Sequence, residues 1–109
     1  MKLAEVRRIA MALPEVTEQP HFNHGSFRVC GKIFVTLPPD KEHLHVSVAE
    51  DEPELALAMD PGFVEELRWG GKVVGVRLSL PGAMPTIVRR LLRSAWAGKA
   101  PRALVARAM

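Results

Sequence analysis

The segment Ser26-Phe27-Arg28-Val29-Cys30-Gly31-Lys32-Ile33-Phe34-Val35-Thr36-Leu37 switches to a period of two on both sides of a Cys-Gly pair. Phe27 and Val29 alternate with Ser26 and Arg28, and Ile33, Val35 and Leu37 alternate with Lys32, Phe34 and Thr36. Successive side chains of a strand point to opposite faces, so the pattern predicts a half-buried β-hairpin. Gly31 suits the turn because it accepts positive φ.

Working outward, Pro38-Pro39-Asp40 breaks the hairpin, and Leu44, Val46 and Val48 alternate with His43, His45 and Ser47 as a third strand. Upstream, Leu3, Val6, Ile9, Ala10 and Leu13 fall on one helical face until Pro14 stops the run, and Glu15 to Asn23 reads as a loop. Downstream, Asp51-Glu52-Pro53-Glu54 reads as a helix start, with acids and a proline in the first turn. Phe63, Leu67 and Trp69 form a short apolar segment of no assigned type. Gly70-Gly71 precedes a fourth strand over Val73 to Leu78. A helix then opens at Pro85, reaches about Trp96 and is capped by Gly98, and Pro101 starts a last short helix.

The predicted order is α-β-β-β-α-β-α-α. Short turns imply an antiparallel sheet, and half-apolar strands imply one covered face. Residues 1–109 therefore read as a single α+β domain, a two-layer sandwich of about four or five strands with helices on one face. The open face is expected to carry Arg28, Lys32, Phe34, Thr36, His45 and Arg77.

Charge is segregated along the chain. From Lys72 to Met109 there are eight Lys or Arg residues and no acid, whereas Asp40 to Arg68 holds nine acids against two bases. A net charge of +3 conceals this asymmetry. It suits either an internal match of two faces or a face for an anionic partner. Arg89, Arg90 and Arg93 fall on the outward side of their helix, with Val88, Leu91, Leu92 and Ala95 inward. That outward side either meets phosphates or pairs with the acids near Glu50 to Glu54. Arg28, Lys32 and Arg77 around Phe34 offer a second basic surface, on which the ring either stacks on bases or lies covered.

Catalytic and cofactor signatures are weak. His21, His24, His43 and His45 lack metal-ligand spacing, Gly70-Gly71 lacks the spacing of a nucleotide loop, and no nucleophile sits beside a base. The lone Cys30 reads as a partly exposed, inert thiol. No enzyme activity, metal or cofactor is expected. No apolar run is long enough to span a membrane and no secretory leader is legible, so a cytoplasmic location is expected.

The run His21 to Leu37, with Ala12-Leu13-Pro14-Glu15-Val16-Thr17-Glu18, Asp60-Pro61-Gly62-Phe63, Trp69-Gly70-Gly71, Arg93-Ser94-Ala95-Trp96 and Ala100-Pro101-Arg102, resembles the MmcQ/YjbR family of small bacterial proteins. The ordered set covers nearly the whole chain. The resemblance implies a compact fold of the CyaY/frataxin type and DNA binding through a double-wing motif on a positive surface, and it supplies no catalytic residue. The expectation is therefore a non-enzymatic module that binds DNA without sequence preference. Its phosphate contacts would come from Arg89, Arg90, Arg93 and Arg102, joined by Arg28, Lys32, Lys72 and Arg77. The alternative is an interaction domain whose partner is a second copy or an acidic protein. No small-molecule substrate is legible.

Overall fold

The computed structural model describes residues 1–48 and 62–108. Six strands form one antiparallel sheet: β1 (Val16–His21), β2 (His24–Val29), β3 (Lys32–Leu37), β4 (His43–Val46), β5 (Val64–Trp69) and β6 (Lys72–Ser79). Their spatial order is β1-β2-β3-β4-β6-β5. Helices α1 (Leu3–Met11) and α2 (Pro85–Lys99) pack against each other, with α1 against β1 and α2 against β3 and β4. A short α3 (Arg102–Ala108) follows. No described helix is long and apolar enough to cross a membrane.

The α+β two-layer arrangement agrees with the sequence reading, but the sheet has six strands, not four or five. Residues read as a loop form β1, and the segment of no assigned type is β5. Pro20 is tolerated because β1 is an edge strand, paired only with β2, where a missing N–H leaves no ladder bond broken. Downstream, α2 continues through Gly98 to Lys99 instead of ending there. The helix expected from Asp51 lies outside the described residues.

The core lies between the sheet and the helices. Phe27, Val35, Val46 and Val76 are successive cross-strand partners, all buried, and meet Val88, Leu91, Leu92 and Ala95 of α2. Trp96 is buried too, and its Nε1 donates to the Pro14 carbonyl oxygen at 2.9 Å, fastening the segment between α1 and β1 to α2.

Two register breaks decide which residues reach the open face. Phe27 pairs with Val35, but its neighbour Arg28 pairs with Ile33, which leaves Phe34 as an extra residue of β3. A bulge of this kind resets the alternation, and a one-residue slip moves every later side chain to the other face. Phe34, expected on the open face, is 0% exposed within the core. Lys32, expected beside it, stands opposite buried Val29 on the helix side. A second break, between Leu67 and Arg68, leaves Val74 as the extra residue of β6.

Candidate nucleic-acid interface

Because neighbouring strands all run antiparallel, the β2–β3 and β5–β6 turns lie at the same end of the sheet, called distal here. The β1–β2 turn lies at the other end. β4 is only four residues long and separates the two distal hairpins. Past its end Ser47 still donates its N–H to the Phe34 carbonyl oxygen. Close packing of β4 on β6 requires a glycine: a Cβ on Gly75 would collide with the carbonyl oxygen of Val46. The result is two projecting wings with a shallow gap between them.

Each wing carries charge at its tip. Cys30 and Gly31 both have positive φ in the β2–β3 turn, after which Lys32 is exposed. The Cys30 thiol is free and exposed. In the β5–β6 turn Gly70 and Gly71 take positive φ, which frees the flanking Trp69 and Lys72 to project. Trp69 is 80% exposed, unusual for the largest apolar side chain. Arg68 precedes it, with Nη2 bonded to Glu66 at 2.8 Å. Lys99, at the end of α2, borders a cleft with Val48 and Val74 on the same side of the molecule.

The eight basic residues singled out by sequence therefore do not form one patch. Lys32 and Lys72 share the distal end. Arg89, Arg90 and Arg93 are all exposed on α2, as their spacing predicted, but on the helix layer. Arg102 opens α3. Arg28 and Arg77 share the outer sheet face. Arg28 is committed locally: Nε donates to Ser26 Oγ at 3.1 Å and Nη2 to the Pro20 carbonyl oxygen at 3.2 Å, while Ser26 Oγ donates to the Gln19 carbonyl oxygen at 2.7 Å. That network staples the edge strand β1 to β2.

Among the histidines, His43 is held by Asp40, Nδ1 to Oδ2 at 2.8 Å. Asp40 Oδ1 also accepts the backbone N–H groups of Glu42 and His43. The Glu42 N–H above all, then the His43 ring, holds the Asp40 carboxyl below the ordinary carboxylate range. His24 and His45 face each other across the sheet with ring centroids 6.3 Å apart. Sequence reasoning missed Trp69 as a functional candidate, and the signal available was its place beside a Gly-Gly turn. The other exposed aromatic is Phe22, 93% exposed at the β1–β2 turn.

Residues 11–97 match the model of the YjbR family, and the chain belongs to that family. No curated protein matches it.

Proposed function

We propose that this YjbR-family protein is a non-enzymatic module that binds nucleic acid through its two distal wings. The observation that carries the reading is Trp69, an exposed indole between Arg68 and Lys72 at the tip of one hairpin, with Lys32 at the other. An aromatic that stacks on bases, set among cations that meet phosphates, is the recurring chemistry of sequence-tolerant strand binding. The wings take over the role that the charge pattern alone assigned to the arginines of α2, which lie on a separate layer. Unpaired bases offer their faces to an indole more readily than paired ones, so single-stranded DNA is the preferred form.

Fluorescence anisotropy with single-stranded DNA, duplex DNA and RNA across a salt series tests this. With about four phosphates neutralised, the log–log salt slope for a single strand should be roughly −3. Trp69→Ala should weaken binding by about 1–3 kcal/mol. Combining Lys32→Gln with Lys72→Gln should flatten the slope, whereas Arg89→Gln, Arg90→Gln and Arg93→Gln together should change it little. A salt-independent response, or the reverse ranking of the two sets, overturns the reading. The second reading, an interaction domain, draws on the same Trp69 together with half-exposed Val74 on the neighbouring strand. It predicts a dimer in size measurements, weakened by Trp69→Ala and indifferent to DNA.

A further inference from the structure

The outer face of the sheet carries a polar row that the nucleic-acid reading does not use. Gln19, Ser26, Thr36, His45, Arg77 and Glu65 are successive cross-strand partners spanning all six strands. At the β1 side its groups satisfy one another through the Ser26 and Arg28 bonds. At the centre they do not. Arg77 Nε is shut off from water and has no hydrogen-bond partner, and the Arg77 guanidinium joins no ion pair among the described residues. A buried donor left unpaired is costly, the more so when it is charged, and it asks for an explanation.

Its surroundings supply one. His45 lies opposite Arg77 on β4, and His24 faces His45 from β2. Burial above all, then the positive charge of Arg77 and the neighbouring His24 and His43, holds His45 below the ordinary histidine range. The acids nearby do not neutralise the group: Asp40 is engaged by His43 and two backbone amides, and Glu65, opposite Arg77 on β5, forms no ion pair with it. Next to His45 a hollow of about 150 Å³ opens between the wings, lined by Ile33, Thr36, Leu67, Val74 and Gly75 among others.

We propose that this face is a binding site for a small ligand bearing a tetrahedral oxyanion, a phosphate monoester in its simplest form, with Arg77, His45 and His24 around the oxyanion and the ligand's apolar part in the hollow. A guanidinium presents parallel N–H donors that match two oxygens of such a group. Two imidazoles add donors, and an anion would offset the burial and neighbouring positive charge that lower His45. The site is independent of the wing tips and does not rest on the nucleic-acid reading.

The test is a titration of the full chain with phenyl phosphate and, separately, with sulfate, followed through the histidine ring nitrogens and the Arg77 Nε–H by NMR. Saturable shifts at His24, His45 and Arg77, with phenyl phosphate bound more tightly than sulfate, are expected. Arg77→Met should abolish saturation while the thermal transition confirms a folded protein, and His45→Gln should weaken it. Lys32→Gln with Lys72→Gln should leave it unchanged, which separates this site from the wings. Sulfate keeps its charge over the range used, so its affinity should rise several-fold as pH falls from 8 to well below the ordinary histidine value of 6.5 and His45 gains its proton. The titratable and charged groups that act on His45 are Arg77, His24, His43 and Asp40. Shifts linear in ligand concentration, saturation retained in Arg77→Met, or a pH-independent sulfate affinity overturn the proposal.

Discussion

The two faces of the central sheet are built from adjacent residues of the same strands, yet they obey different rules. On the inner face Phe27, Val35, Val46 and Val76 run across β2, β3, β4 and β6 and vanish under α2. One residue away on each strand, Ser26, Thr36, His45 and Arg77 run in parallel across the outer face. The inner row holds the fold by close packing, where lost volume is felt directly. The outer row contributes little packing and holds Arg77 Nε away from water with no partner among the described residues.

The largest effect expected from this contrast is on the inner row. Phe27→Ala should destabilise by about 3–5 kcal/mol in denaturant unfolding, through lost burial and the cavity left behind. Gly75→Ala tests the strand contact between the wings, and should cost about 1–3 kcal/mol as β4 and β6 are forced apart. Relief of turn strain should act in the opposite direction. Cys30 holds φ of 49° in a two-residue turn, so Cys30→Gly should stabilise by about 1 kcal/mol. On the outer row Arg77→Met should not destabilise and should stabilise by up to about 1 kcal/mol, since the unpaired Nε–H is removed and no side-chain hydrogen bond to the described residues is lost. A cost for Arg77→Met comparable to that of Phe27→Ala would erase the distinction between the faces.

The smallest effect is a pH dependence with a defined sign. His45 has its folded-state value below the ordinary 6.5, so its neutral form is favoured by folding. That contribution is present above the unfolded value and declines as pH falls toward the folded one. Asp40 is also lowered by folding, from 3.8, so its contribution is present above that value and is lost as pH falls further toward the folded one. Melting temperature should therefore decline in two stages on acidification. His45→Gln should remove the first stage and Asp40→Asn the second.

Much of the inner face was legible in the sequence, and much of the outer face was not. The 3.6-residue spacing of α1 and α2 and the period-two alternation of β2 reported burial directly. Two features erased the signal elsewhere. β1 is an edge strand, and Val16-Thr17-Glu18-Gln19-Pro20-His21 has no core face to enforce alternation. In β3, Ile33-Phe34-Val35 is apolar throughout, so no residue type marks where the bulge falls. Phe34 therefore went to the wrong face, and Lys32 with it. The arginines of α2 were correctly read as exposed, and as a surface separate from that of Arg28 and Arg77. Arg28's commitment to Ser26 and the Pro20 carbonyl depends on the pairing of β1 with β2, which the loop reading had hidden. Trp69 passed as an ordinary apolar residue, because only the turn geometry of Gly70-Gly71 reveals that it projects.

The central claim is that the distal wings, not the basic helix, meet nucleic acid. Backbone amide shifts on titration with single-stranded DNA test it most directly. The account predicts perturbations concentrated at residues 30–33 and 68–73, together with the Trp69 indole N–H. Perturbations concentrated on residues 89–93 instead, or none at protein-saturating DNA in low salt, would contradict it.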